Sequence, residues 1–187
     1  MGRVFLRGIE SQAYGLKEEM KRLRSLPRVI KGKALTWYGG AQHWNKNVFT
    51  PETELGQSIF VHIEELVPHG RSTRHYHQNE AMFYILEGKG HDVHDGVRYD
   101  WEAGDVCIVH NGCIHQHFND GDRPARMLII KTKPLFMFLH LIFQGTLQTS
   151  AMEPIPGWEG YSPPDGPVVV SEELMSYGAE KKAATGR

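Results

Sequence analysis

The segment from about Gly56 to Lys133 is a succession of short β-strand patterns, and this limits the possible folds more than any other feature of the chain. Its runs are rich in Val, Ile, Phe and Tyr, and turn-forming residues interrupt them every few positions. Asp95-Gly96, between HDVH and VRYD, has the composition of a two-residue hairpin turn. Repeated short strands with frequent turns predict an all-β sandwich or barrel.

The segments on either side have different patterns. From Ser11 to Leu26 apolar residues recur at helical spacing among charged ones, and Pro27 ends the pattern, which predicts one amphipathic surface helix. We expect residues 1–55 to contain this helix and an irregular connecting segment, and residues 56–145 to form the barrel. Residues 146–187 are rich in proline and glycine, so we expect an extended arm lying across the barrel or a second subunit.

The composition favours a small-molecule partner over nucleic acid or a membrane. Lysine and arginine (21) nearly balance aspartate and glutamate (22), so the chain has no large field of one sign. The longest apolar run, Leu135 to Phe143, is far shorter than the roughly 20 residues that cross a bilayer. Two cysteines and no apolar leader favour a cytoplasmic protein. Because a single barrel exposes sheet edges, we expect a homodimer.

Histidines are concentrated in one part of the chain, since eight of the eleven lie between His69 and His117. In the stretch RHYH, His75 and His77 occupy alternate positions of a strand and therefore point to the same face. Two imidazoles that converge in this way are common ligands of iron, nickel, copper and zinc. Two polar residues on the solvent-facing side of a strand would give the same pattern. The His-x-His pair alone therefore does not distinguish metal ligands from exposed polar residues.

The wider spacing resembles the two motifs of the cupin family, G-x5-H-x-H-x3/4-E-x6-G and G-x5-P-x-G-x2-H-x3-N. The first is matched, with one residue fewer after its first glycine, by Gly70, His75, His77 and Gly88. The second is matched, with His110 in place of the proline, by Gly104, Gly112, His115 and Asn119. The resemblance covers about residues 56–133. It implies a double-sheet jelly-roll barrel with a metal held inside by His75, His77 and His115.

The carboxylate of the first motif is missing at its expected place. Ala81 occupies that position, and Glu80 lies one residue early, which turns its side chain to the opposite face of a strand unless a bulge intervenes. In this respect the chain resembles gentisate-type ring-cleaving dioxygenases, whose iron is held by three histidines. The stretch IHQHFND is similar to their tryptophan-His-x-His pattern, with Ile114 in place of the tryptophan.

The resemblance implies a non-haem iron(II) dioxygenase that acts, with dioxygen, on a small aromatic substrate carrying hydroxyl or carboxylate groups. Three neutral ligands leave the metal's two positive charges uncompensated, which favours an anionic chelating substrate. Two alternatives remain open. One is a non-redox isomerase, decarboxylase or lyase that uses manganese, nickel or zinc, and the other is a ligand-binding barrel without turnover.

Several neighbours are candidates for catalysis or substrate binding. His117 shares a face with His115 and is either an acid, base or hydrogen-bond partner of the substrate or a histidine satisfied within the core. Glu80 can accept a proton from a metal-bound imidazole. Arg71, predicted to point inward, and Arg74, predicted to point outward, can clamp a substrate carboxylate, or they are surface charges. Phe83 is expected to line the wall beside an aromatic ring.

Three further polar residues are assigned without a role in catalysis. His91 and His94 flank the predicted hairpin turn and are separated by an odd number of positions, so we expect them to face opposite ways and to be exposed. Asn119 follows the second histidine motif, where we expect it to end the strand in a turn.

Overall fold

A computed structural model describes residues 17–50, 53, 55, 58–149 and 151–171. Within these ranges the chain forms twelve strands, two α-helices and one short 3-10 turn. The helices are α1 (Lys17–Ser25) and α2 (Lys133–Phe138). The strands are β1 (Trp37–Gly40), β2 (His43–Phe49), β3 (Phe60–Leu66), β4 (Arg74–His77), β5 (Ala81–Glu87), β6 (Lys89–His94), β7 (Val97–Glu102), β8 (Val106–Val109), β9 (Ile114–Asn119), β10 (Ala125–Lys131), β11 (Gln144–Gln148) and β12 (Val168–Val170).

The strands form two sheets, which confirms the predicted all-β jelly roll. The larger sheet has the order β12-β1-β2-β3-β10-β5-β8, and the smaller has the order β11-β4-β9-β6-β7. Neighbouring strands are antiparallel except for β1 and β12, which are parallel. Sequential strands such as β4 and β5 belong to different sheets, so the chain crosses repeatedly between two layers that enclose one interior.

The hairpin between β6 and β7 forms at the predicted turn. Asp95 and Gly96 have positive φ angles of 49° and 88°, as a two-residue hairpin loop with the twist of the flanking strands requires. The turn places His94 opposite Val97 and so fixes the register of both strands.

Alternation along β5 separates the interior from the outer surface. Ala81, Phe83 and Ile85 are buried, as their parity predicts, while Met82 and Tyr84 between them are about 40% exposed. The buried side chains pack with apolar residues of β3, β7 and β10 into the main core cluster. Each large side chain in it contributes about 1.5–3 kcal/mol by leaving water.

The amino-terminal part contains more regular structure than expected. The helix α1 lies inside the predicted range, and residues 11–16 of that prediction fall outside the described residues. The segment expected to be irregular instead forms β1 and β2, whose residues Trp37 and Trp44 are almost fully buried. Residues more than 100 positions later stabilise these strands: Ile155 and Trp158 pack against the buried tryptophans, and Asp165 accepts a hydrogen bond from the Trp37 indole. Local sequence does not reveal these contacts.

The carboxy-terminal segment lies across the outer face of the larger sheet. Ile155, Trp158 and Tyr161 pack against the cluster of Trp37, Trp44 and Val67. Further on, β12 adds to the edge of the sheet beside β1. Within the described residues, no helix has both the length and the apolar character needed to cross a membrane.

A group of charged residues is buried between this segment and the sheet, and we call it the outer cluster. The Lys46 ammonium donates to the carbonyl oxygen of Asp165 at 2.6 Å and to its carboxylate at 3.2 Å. Arg126 donates to the carboxylates of both Glu65 and Asp165. The Tyr161 hydroxyl donates to Glu65 as well. Each charge in the outer cluster therefore has a partner of opposite sign within the chain.

Candidate metal centre

Three histidines meet on the inner face of the smaller sheet. His75 in β4 lies directly opposite His115 in β9, and His77 lies two positions further along on the same face. One ligand nitrogen from each of the three residues lies within 4.8 Å of the others. The ring centroids are separated by 4.3 to 5.5 Å. The structure thus brings together the three residues that the sequence predicts as metal ligands.

Backbone carbonyls fix the orientation of all three rings. In each ring the Nδ1 atom lies within 3.1 Å of a carbonyl oxygen, so Nδ1 carries the hydrogen and the lone pair is left on Nε2. The accepting carbonyls belong to Thr73, Asn79 and Cys113. The Nε2 atom of His77 is buried and has no hydrogen-bond partner. Such an atom is costly to bury unless a ligand occupies it, which is the behaviour expected of a metal-binding imidazole.

Burial keeps these imidazoles neutral. It lowers the pKa of His77 and of His115 to about 2, and it lowers the pKa of His75 well below the ordinary value. The positive charge of Lys131 lowers the pKa of all three further. A neutral imidazole is the form that binds a metal, so no proton must leave before coordination.

The position of the missing carboxylate is buried, and the neighbouring glutamate faces away. Ala81 lies inside the barrel, whereas the Glu80 side chain is exposed. The predicted role of Glu80, to accept a hydrogen bond from a metal-bound imidazole, is therefore wrong. Backbone carbonyls such as that of Asn79 accept these hydrogen bonds instead. Glu80 lies in the short bend between β4 and β5, next to the buried Ala81, and its side chain faces the solvent.

The two arginines predicted near the substrate lie outside the barrel. Arg74 is exposed, as its parity predicts. The inward direction predicted for Arg71 is wrong, since Arg71 pairs with Phe118 on the outer face. The reason is one extra residue in the chain before β4. Arg71 pairs with Phe118 and His75 pairs with His115, but Arg71 and His75 are four positions apart whereas Phe118 and His115 are three apart. The guanidinium contacts the Gln148 amide oxygen at 3.0 and 3.2 Å when that amide is turned to accept.

His117 lies in the interior beside the three ligands. Its ring centroid is 5.5 Å from that of His115 and 4.9 Å from that of Phe83, which forms apolar wall as predicted. Its Nδ1 atom is 2.9 Å from a carboxylate oxygen of Asp92. Burial alone would lower the pKa of His117, but the carboxylates of Asp92 and Glu64 raise it above the ordinary value. His117 is therefore a buried histidine with a bound carboxylate partner.

The sequence analysis gave no role to Asp92, which is the centre of a buried network. Its carboxylate accepts hydrogen bonds from the Trp101 indole at 2.9 Å and from His94 at 3.1 Å, in addition to His117. Hydrogen bonds and the charge of His117 lower the pKa of Asp92 despite its burial. Local sequence does not reveal this residue, because the contact depends on the pairing of β6 with β9, which places Asp92 opposite His117.

The remaining predicted residues divide between the two faces. His94 lies inside, opposite His115, while His91 stacks on Phe118 outside, so the two face opposite ways as expected. Both are largely buried, and the expectation that they are exposed was wrong, since each has a carboxylate partner. Asn119 closes a turn through its bond to the Gly121 amide, as predicted.

The larger sheet contributes a second set of polar residues to the interior, which we call the inner cluster. It consists of His62 and Glu64 in β3 and Lys131 in β10. The Glu64 carboxylate is 2.9 Å from the His43 ring, and its charge environment lowers its pKa against the effect of burial. The His62 Nε2 atom is buried without a hydrogen-bond partner. The sequence analysis missed these residues, because VHIEEL carries no motif.

Comparisons with known proteins agree with the observed fold. Residues 62–131 match the model of the Cupin domain. The chain is 31% identical over 74 residues to a 5-aminosalicylate 1,2-dioxygenase from Comamonas sp, a match that covers 40% of this chain and 20% of that protein. It is 26% identical over 87 residues to a gentisate 1,2-dioxygenase from Ralstonia sp, covering 46% and 24%. The chain thus spans only about a quarter or less of these relatives.

Two solved structures have a similar fold. A salicylate 1,2-dioxygenase from Pseudaminobacter salicylatoxidans superposes with a TM-score of 0.52 at 14% identity, covering 71% of this chain and 36% of that one. The polyketide cyclase RemF from Streptomyces resistomycificus has a TM-score of 0.50 at 15% identity, covering 57% and 79%. Residues 62–131 therefore match the Cupin domain, and part of the chain is similar to a 5-aminosalicylate and a gentisate 1,2-dioxygenase.

Proposed function

We propose that this protein is a non-haem iron(II) dioxygenase that acts on a small hydroxylated aromatic acid. The observation that carries the proposal is the set of three neutral imidazoles from His75, His77 and His115, whose ligand nitrogens lie within 4.8 Å of one another. Among the residues that the structure describes, no carboxylate belongs to this group. The similarity to dioxygenases of aminosalicylate and gentisate supports the same reaction class.

The donor set fits a divalent first-row metal. Imidazole nitrogen suits iron, nickel, copper and zinc, and each ring is already held in the tautomer that coordinates through Nε2. When bound, ferrous iron would supply the electron-transfer chemistry that lets dioxygen react with an aromatic ring. The ligands contribute no negative charge, so an anionic substrate compensates the metal better than a neutral one.

The chain's own residues can orient the substrate and move a proton. Phe83 offers an apolar surface next to the ring of His117. Asp92 holds the Nδ1 hydrogen of His117, which leaves the Nε2 atom to exchange a hydrogen bond or a proton with a substrate hydroxyl. His117 is thus the proposed catalytic side chain, and Asp92 is its positioning residue.

Oxygen consumption tests the proposal directly. Metal-free protein is loaded anaerobically with ferrous iron and mixed with salicylate, gentisate and catechol while dissolved oxygen is recorded. We expect oxygen uptake with at least one compound, its loss in His115→Ala, and its retention in the control His110→Ala, which alters an exposed histidine. Iron-loaded protein that consumes no oxygen with any hydroxylated aromatic acid contradicts the proposal. Turnover by zinc- or nickel-loaded protein under argon supports the non-redox alternative instead.

We also propose that the protein is a homodimer. Large apolar side chains on the outer face of β5 and β8 are about 40–55% exposed, which is unusual for a surface that stays in water. These side chains are Met82, Tyr84, Leu86, Val106 and Ile108. Light scattering at micromolar concentration is expected to give twice the chain mass, and a monomer mass refutes the proposal.

A further inference from the structure

Lys131 extends into the interior from the sheet that faces the three histidines. Buried residues of β10 alternate up to it, since Met127 and Ile129 are fully buried and Lys131 has the same parity. In the sheet Lys131 lies directly opposite Ala81 on one side and Phe60 on the other. The lysine is therefore next to the buried position at which the cupin motif has its carboxylate.

The charge of Lys131 acts on the whole interior. It contributes to the lowered pKa of His62 and of the three histidines, and it opposes the carboxylates that raise the pKa of His117. The negative charge of Glu64 stabilises the Lys131 ammonium from a distance. Among the residues that the structure describes, however, no carboxylate lies within ion-pair distance of the Lys131 nitrogen. A cation in such a place is unfavourable unless an anion from outside the chain joins it.

His62 provides a second group at the same place. It pairs with Ile129, two positions along the sheet from Lys131 and on the same face, and its Nε2 atom is buried without a partner. Ala81, opposite Lys131, contributes only a methyl group at this position. A metal held by the three histidines would add two positive charges opposite the lysine, so a bound anion would be attracted from both sides.

We propose that Lys131, with His62 beside it, binds an anionic oxygen of the substrate and restricts the site to small aromatic acids. This role replaces the one that the sequence analysis gave to Arg71 and Arg74, which lie on the outer surface. The inference rests on the proposed function for the identity of the aromatic substrate. The anion site itself needs no metal.

Benzoate and benzamide are suitable probes because they have the same ring and differ in charge, and neither carries a hydroxyl beside the carboxyl group to chelate a metal. Their binding to metal-free protein is measured by ligand-observed NMR titration for the wild type, Lys131→Met and Lys131→Arg. Lys89→Met is the matched control, since Lys89 is an exposed lysine at the start of β6. We expect the wild type to bind benzoate at least about 10-fold more tightly than benzamide, the value of one charge-assisted hydrogen bond.

In Lys131→Met this preference should disappear while the affinity for benzamide stays unchanged, and Lys131→Arg and Lys89→Met should retain it. A wild type without the preference, or a Lys131→Met protein that keeps it, overturns the inference. The dioxygenase proposal fails separately, when iron-loaded protein consumes no oxygen. Oxygen uptake that is equal for salicylate and salicylamide in the wild type leaves the dioxygenase standing and overturns the role of Lys131.

Discussion

The sheet formed by β2, β3 and β10 has charged residues on both faces, but among the described residues only the lysine and arginine on the outer face have carboxylates at ion-pair distance. On the outer face, Lys46 and Arg126 are neutralised by Glu65 and Asp165, and the carboxy-terminal segment covers them. On the inner face, Lys131 has no carboxylate at ion-pair distance within the described chain, and His62 has a buried nitrogen without a partner.

This difference indicates that the charges on the outer face stabilise the fold, whereas the Lys131 charge on the inner face is available to bind a ligand. Burying a charge costs several kcal/mol unless a partner compensates it. The outer cluster meets that requirement with residues of its own chain, so it stabilises the fold. Lys131 in the inner cluster has no such partner among the described residues, and the Nε2 atoms of His62 and His77 are buried without a hydrogen-bond partner. A stable protein keeps such groups where binding recovers the cost.

Removing a ligand should give the largest effect. We expect His77→Ala to weaken metal binding by more than the roughly 100-fold that loss of a ligand's hydrogen-bond partner costs at most. Metal content after dialysis against a graded chelator series, read by mass spectrometry, measures the change. The exposed His110→Ala variant should bind as the wild type does. Unchanged metal affinity in His77→Ala would show that the imidazoles do not form the site.

Breaking the outer cluster should affect stability and leave metal binding alone. Lys46→Met removes hydrogen bonds to the carbonyls of Gly32 and Asp165 and the ion pair with the Asp165 carboxylate. We expect the free energy of unfolding to fall by about 3 kcal/mol, measured by urea denaturation. A loss of metal affinity at full stability would contradict the separation of the two faces.

Asp165 makes the outer cluster sensitive to acid. Burial alone would raise the pKa of Asp165, but the hydrogen bond from Lys46 and the charge of Arg126 lower it. A carboxylate whose pKa is lowered on folding stabilises the protein above its unfolded pKa, roughly 3.9, and the contribution is lost as the pH falls through the folded value.

We therefore expect Asp165→Asn to lose about 1–2 kcal/mol at pH 7, since the side chain is partly exposed. The gap between the two proteins should narrow as the pH falls below roughly 4. Urea denaturation at several pH values gives both quantities, and a gap that widens in acid would exclude this role of Asp165.

The smallest effect should have the opposite sign. Lys131→Met replaces an unpaired, partly buried ammonium by an apolar chain of similar length, so we expect the metal-free protein to gain about 1 kcal/mol of stability. Comparison with Lys46→Met is the control, because the same substitution on the other face should destabilise. If both variants lose stability to the same extent, the contrast between the faces is wrong.

Features that depend on local pattern could be predicted from the sequence. The jelly roll, the convergence of His75, His77 and His115 and the buried parity of Phe83 all follow from strand alternation and two motifs. The direction of Arg71 could not be predicted, because one bulged residue reverses parity and leaves no mark in composition.

Features that join distant segments were also missed. Asp92 meets His117 across 25 positions, and Lys46 meets Asp165 across 119. Lys131 looked like the polar end of a strand, since only the pairing of β10 with β5 shows which way it points. Such contacts depend on tertiary packing, which local patterns in a single sequence do not reveal.

The late position of Asp165 has a consequence for biosynthesis. A ribosome makes Trp37, Trp44, Lys46 and Glu65 long before it reaches the segment that covers them. Until then the emerging sheet presents two indoles and unneutralised cations to the solvent, at the stage when unfinished chains are most prone to aggregate. The segment around Asp165 therefore covers the outer face only after His75, His77 and His115 have been made.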